Sequence, residues 1–157
     1  MAALSDLEQK RTLEVIPEVG VPPVLLAMSE EGVRWALGGS PDEYPGVWYY
    51  FDSCLQINFE EGKVNYIELS WCDDQFDVQY KGVSVFHTAA DELVAVISGD
   101  APASETNTFT SHELDLGLWR PVVPSEYSST DPDDEYRNGK YWQTIGVGNG
   151  DVFRGRE

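Results

Sequence analysis

Between Leu55 and Leu69 the chain alternates apolar and polar positions twice, LQINFE and KVNYIEL, around a Glu60-Glu61-Gly62 turn. A period of two sends successive side chains to opposite faces of a strand, and a glycine-containing turn joins antiparallel neighbours, so this stretch predicts a β-hairpin. The rest of the chain is organised around it.

Upstream, Ser5 and Glu8 have capping-box spacing and predict a short helix from Asp6, while the β-branched run Thr12 to Ile16, closed by Pro17, reads as an extended and peripheral segment. Gly20-Val21-Pro22-Pro23 reads as a stiff turn or linker. Ser29 then caps a helix with Val33, Ala36 and Leu37 on one face, stopped by Gly38-Gly39 and Pro41. Val47 to Phe51 is an aromatic run of strand character.

Downstream, Phe76, Val78 and Tyr80 share one face of a strand that Gly82 bends. Thr88 is the expected cap of a second helix, which carries Leu93, Val96 and Ile97 and ends at Gly99. A polar loop over residues 100–112 holds a short strand near Phe109, and Leu114, Leu116 and Leu118 alternate into Trp119. Residues 122–140 have loop composition, Asn138-Gly139 is a turn, Tyr141 to Val147 is a strand, and the tail is expected to fray. The elements predict an α+β domain: a mainly antiparallel sheet with two short helices on one face.

Val33, Ala36, Leu37 and Gly39 fall on Leu93, Val96, Ile97 and Gly99 at an offset of sixty, and Leu55, Ile57 and Phe59 fall on Leu114, Leu116 and Leu118 at fifty-nine. Read as a tandem repeat, the halves are 20–71 and 76–147, each a helix and a hairpin, with residues 121–140 inserted in the second. The alternative is the chance agreement that any α+β chain shows when slid over itself. Both readings give one domain over residues 1–157, the size expected for a single core.

The stretches LAMSEEGVRWALGGSPDE and VWYYFDSCLQINFEEGKVNYIEL resemble the helix, G-x-P, tyrosine strand and V-x-F-x-x-G-x-V hairpin of β-lactamase-inhibitor-protein-like and outer-membrane-assembly-lipoprotein domains. The resemblance spans residues 24–71 and, more weakly, 82–147. It implies an α+β domain that works by binding another protein. The lipoprotein signal with its lipidated cysteine is absent, and no inhibitor contact residue matches position by position. A small acidic chain of this type also resembles bacterial immunity proteins, which neutralise a toxin.

Charge narrows the partners. With 28 acidic against 10 basic side chains the net charge is −18, while 41% hydrophobic and 12% aromatic residues indicate a folded chain. Nucleic acid and anionic membrane would be repelled, and a basic protein attracted. The same acidity also serves plain solubility. Charges at Asp6, Glu8, Lys10 and Arg11 interrupt any signal-peptide core, so a cytoplasmic protein is expected. Cys54 and Cys72 stand in no paired motif, and free thiols are expected.

Catalytic signatures are missing. His87 and His112 accompany no G-x-S-x-G elbow, and Asp131-Pro132-Asp133-Asp134-Glu135 has Tyr136 where a calcium-binding loop needs its sixth-position glycine. Gly146-Val147-Gly148-Asn149-Gly150 lacks dinucleotide-loop spacing. No enzyme, metal or cofactor is expected.

Strand parity carries more. With Leu55, Ile57, Phe59, Ile67, Leu69, Leu114, Leu116, Leu118, Ile145 and Val147 facing the helices, unbroken alternation places Trp48, Tyr50, Gln56, Asn58, Tyr66, Glu68, Asp115, Trp119, Trp142 and Thr144 opposite. The alternatives are a bulge near Ser53, which would reverse the parity of Trp48 and Tyr50, and a 121–140 loop that covers the face. The expected partner-binding set is therefore Trp48, Tyr50, Tyr66, Glu68, Asp115, Trp119 and Trp142, with Asp133, Asp134 and Glu135 of the acidic loop. Large aromatics dominate protein interfaces, so the leading expectation is a non-catalytic immunity or inhibitor protein that engages a basic partner, such as a toxin. A carbohydrate-binding or small-ligand module, stacking ligand on the same aromatics with Asp115 and Glu68 as acceptors, is the first alternative. A carboxylate and His112 hydrolase is the second.

Overall fold

A computed structural model of the chain describes residues 11–99, 106–125, 137–150 and 152. Within them the elements in order are β1 (Arg11–Glu14), β2 (Gly20–Val21), β3 (Val24–Leu25), α1 (Glu30–Leu37), β4 (Asp42–Tyr44), β5 (Val47–Tyr50), β6 (Leu55–Glu60), β7 (Lys63–Ser70), β8 (Phe76–Tyr80), β9 (Val83–Ser84), α2 (Ala90–Ser98), β10 (Thr108–Ser111), β11 (Leu116–Trp119) and β12 (Thr144–Gly148), with a 3-10 turn at Arg137–Gly139. The helix expected from Asp6 and the acidic residues Asp133, Asp134 and Glu135 lie outside the described residues.

The predicted hairpin is β6 and β7, paired Leu55 with Leu69 and Ile57 with Ile67. Its turn has both central residues in the left-handed region, Glu61 at φ 52° and Gly62 at φ 77°, the geometry whose twist matches that of the flanking strands. Around it a seven-stranded sheet runs in the order β10-β11-β12-β7-β6-β5-β4, every neighbouring pair antiparallel. The fold is thus α+β and mainly antiparallel.

The sheet's inward positions form one cluster with the helices. Leu55, Ile57, Ile67, Leu69, Leu116, Leu118, Ile145 and Val147 are buried together with Val33 of α1 and Leu93, Val94 and Ile97 of α2. Ser29 caps α1 as predicted, its hydroxyl accepting from Gly32 N at 3.0 Å, and Gly38 closes the last turn. In α2 the expectation is corrected twice. Ala89, not Thr88, is the N-cap and supplies no side-chain bond, and Val94 rather than Val96 completes the buried stripe, leaving Val96 40% exposed.

A second, three-stranded sheet, β1-β8-β9, contributes Leu13, Phe76, Val78 and Tyr80 to the same core. The segment expected to be peripheral is therefore structural: β1 runs parallel to β8 and buries Leu13 and, just beyond it, Val15. Parallel pairing between segments so distant in sequence leaves no local signal to read. Gly20-Val21-Pro22-Pro23 is a small β2-β3 hairpin turning on a cis Pro22-Pro23 bond.

Two arginines anchor the described ends of the long β11–β12 connection. Buried Arg120 donates to the carbonyls of Thr106 at 2.9 Å and Gly139 at 2.7 Å. Arg137 donates to Phe86 O at 2.6 Å, and its guanidinium lies 3.7 Å from the Trp71 ring centre and 4.4 Å from that of Tyr141. Burial pushes the Arg137 guanidinium below its ordinary pKa. Among the described residues no helix is long and apolar enough to cross a membrane.

The expected free thiols are corrected: Cys54 and Cys72 form a disulfide. The two cysteines flank the hairpin, Cys54 directly before β6 and Cys72 two residues after β7, and only the antiparallel register brings them side by side. The bridge closes a loop with a separation of 18 residues. A loop of that length restrains the unfolded chain by about 3 kcal/mol in the chain-entropy picture. Reduction, or the double substitution C54A/C72A, is expected to lower the unfolding free energy by roughly that amount in denaturant titrations. An unchanged midpoint would show that the bridge adds nothing to the hairpin.

Candidate binding surface

The register fixes what the other face of the large sheet presents. Across its middle run Asp42, Tyr49, Gln56, Glu68, Gly146, Gly117 and Thr110, each paired with the next. On one side lies the row Tyr44, Val47, Asn58, Tyr66 and Gly148, and on the other Ser70, Thr144, Trp119 and Thr108. The side chains of these rows are half-buried or exposed, with Tyr44 at 59% and Trp119 at 45%. Tyr44 and Tyr49 pack edge to face with ring centres 5.8 Å apart. The rows carry the carboxylates of Asp42 and Glu68 and no lysine or arginine.

Glycines give this face relief. Gly117 and Gly146 sit side by side on β11 and β12 with no side chain to raise the surface. The Tyr66 ring occupies the space over Gly146, where an added Cβ would lie 2.7 Å from the ring carbon Cε1. The Tyr66 hydroxyl donates to Glu68 Oε1 at 2.8 Å. Beside it a notch of about 120 Å³ opens, lined by Tyr66, Glu68, Thr108, Thr110, Gly117, Leu118, Trp119, Thr144 and Gly146.

Of the expected contact residues, Tyr66, Glu68 and Trp119 therefore meet on the outer face. Four do not. Trp48 and Tyr50 are buried because the four-residue connection Phe51–Cys54 pairs Trp48 with Ile57 and Tyr50 with Leu55, turning both inward. Trp48 lies beneath Arg34, whose guanidinium is 4.3 Å from the ring centre and makes two bonds to Glu43, at 2.6 and 2.9 Å. That hydrogen bond raises the Arg34 pKa and lowers the Glu43 pKa, and burial raises the Tyr50 phenol.

Asp115 ends a turn rather than lying in a strand, with φ 53° and no exposure. Its carboxylate accepts from the backbone N–H of Gly150 at 2.7 Å and Val152 at 3.2 Å, so these two tail residues are held rather than frayed. Trp142 precedes β12 and is fully buried, its indole N–H donating to Ala90 O at 3.1 Å and its ring facing Arg120 at 4.6 Å. A partner would meet none of these four directly.

Three aromatics, exposed Tyr44 and Trp35 and half-buried Tyr49, escaped the sequence reading. Tyr44 and Tyr49 join the outer face, and Trp35 on α1 is 88% exposed. Trp35 had a signal, since a helix that turns Val33, Ala36 and Leu37 inward must turn its neighbour outward. Among the described residues no group of three His, Cys, Asp or Glu side chains comes together as a metal site. His87 Nε2 and Asp73 Oδ1 pair at 2.8 Å on the surface.

Truncation separates the two tryptophans. Trp142→Ala removes a fully buried ring and is expected to cost about 3–5 kcal/mol of stability. Trp119→Ala on the outer face is expected to stay within about 0.5 kcal/mol of the parent. Denaturant titration of both variants checks the assignment, and equal losses would refute the exposure of Trp119.

The chain shows no significant match to any protein-family model, curated protein or solved structure.

Proposed function

We propose that this is a non-catalytic binding protein of immunity or inhibitor type, which receives a basic protein partner on the outer face of the seven-stranded sheet. The observation that carries the reading is that face: a run of half-buried and exposed side chains among the described residues, with four aromatics, two carboxylates and no cation. Aromatic anchors slow dissociation, and a net charge of −18 speeds encounter with a positive surface. Three of the six arginines are engaged away from this face, Arg34 by Glu43, Arg120 by carbonyls and Arg137 by a carbonyl and rings.

The outer notch, at about 120 Å³, is smaller than the pockets that enclose small ligands, roughly 300–1,000 Å³, so on this face its size favours a protein partner; cavities of about 460 and 390 Å³ lie elsewhere, beside His112 and beside Glu60. Duplication of a helix and a three-strand meander fits the same reading. The strands β5-β6-β7 and β10-β11-β12 flank the sheet centre in mirrored order, and the register superposes Trp48 on Phe109 and Ile57 on Leu118 at an offset of sixty-one. A strand repeat read on this register has an offset two residues from the fifty-nine of the sequence reading. The disulfide favours an oxidising compartment over the cytoplasm.

The test is affinity capture of a partner at low salt, followed by binding measurements with single variants. A basic protein that is released by rising salt, and that Tyr49→Ala or Trp119→Ala binds roughly 10-fold or more weakly, is the expected result. Binding indifferent to both substitutions would overturn the proposed face.

A further inference from the structure

We infer that the notch between Tyr66 and Trp119 is a socket for one cationic side chain, lysine or arginine, of the partner; this rests on the protein-binding reading above and names the chemistry that the face selects. The walls suit an alkyl stem. Gly117 adds no side chain to the lining, Trp119 and Tyr66 supply ring surface, and Thr108, Thr110 and Thr144 complete it. The volume of about 120 Å³ leaves room for a single side chain.

The polar end of the notch suits a cation. Glu68 is half-buried, accepts a single hydrogen bond from the Tyr66 hydroxyl, and has no lysine or arginine within ion-pair distance among the described residues. An ionised carboxylate has about four acceptor positions. Those left open point to donors from outside. The tyrosine bond fixes the carboxylate in place beforehand, and the Trp119 ring lines the same notch, where an aromatic ring adds to the attraction of a positive charge. An acidic partner surface would be rejected here, because a second carboxylate beside Glu68 would lie without a counter-charge.

The experiment uses the full chain, labelled with ¹⁵N, and three probes: Nα-acetyl-lysine N-methylamide, its arginine counterpart, and its norleucine counterpart, which keeps an alkyl stem without the charge. The lysine and arginine probes are expected to shift the Trp119 indole N–H and the Gly117 and Gly146 amides saturably, at millimolar concentration. Norleucine should bind about 10-fold more weakly, and Glu68→Gln should weaken lysine binding about 10-fold. Glu31→Gln, which removes the same charge from the exposed start of α1, should leave it unchanged.

Equal binding of norleucine, equal effects of Glu68→Gln and Glu31→Gln, or no saturable shift at ~20 mM lysine probe would overturn the socket. The two proposals fail separately. A captured partner that is weakened by Trp119→Ala but indifferent to Glu68→Gln removes the socket and keeps the face, whereas indifference to Trp119→Ala and Tyr49→Ala removes the face itself.

Discussion

The register of the Leu55–Ser70 hairpin is the constraint on which the rest depends. Leu55 opposite Leu69 and Ile57 opposite Ile67 give the sheet a continuous apolar side, and every later strand must match it to join the core. A slip of one residue would turn the whole set outward. The left-handed pair Glu61-Gly62 holds the register at one end, and the Cys54–Cys72 bridge holds it at the other. The same alternation that buries the leucines and isoleucines leaves Gln56, Asn58, Tyr66 and Glu68 on the opposite side.

That opposite side takes its character from what is missing. Positions 117 and 146 are glycines that add no side chain of their own; Tyr66 lies over Gly146, while Asp115 and Val152 fill the space over Gly148. The few arginines turn to structural work. Arg120 and Arg137 bind carbonyls at the two described ends of the β11–β12 connection, and Arg34 covers Trp48 while pairing with Glu43. Among the described residues, the rows of the outer face carry no lysine or arginine.

Local patterns were legible where one element decides its own geometry. The hairpin, the Ser29-capped helix, the Phe76–Tyr80 strand and the short strand near Phe109 all follow from period, caps and turns. What depends on two elements at once was not. Trp48 and Tyr50 face the core because of a connection whose residues Phe51, Asp52 and Ser53 all have positive φ, and nothing in their chemistry announces that conformation. The disulfide and the parallel β1–β8 pair need the assembled register. Asp115 looked like an exposed acceptor because alternation was carried past the start of β11 into a turn. Of the candidate site, Tyr66, Glu68 and Trp119 could be read directly, while Tyr44, Tyr49 and the pairing of Gly117 with Gly146 emerged only with the register.

Hydroxyl-radical footprinting of the complex with a captured partner tests the central claim most directly, because it reports on individual side chains of one face. The account predicts that Tyr44, Tyr49 and Trp119 lose reactivity on binding while Trp35, exposed on α1, keeps it. Protection of Trp35 with the outer face still reactive would contradict the account.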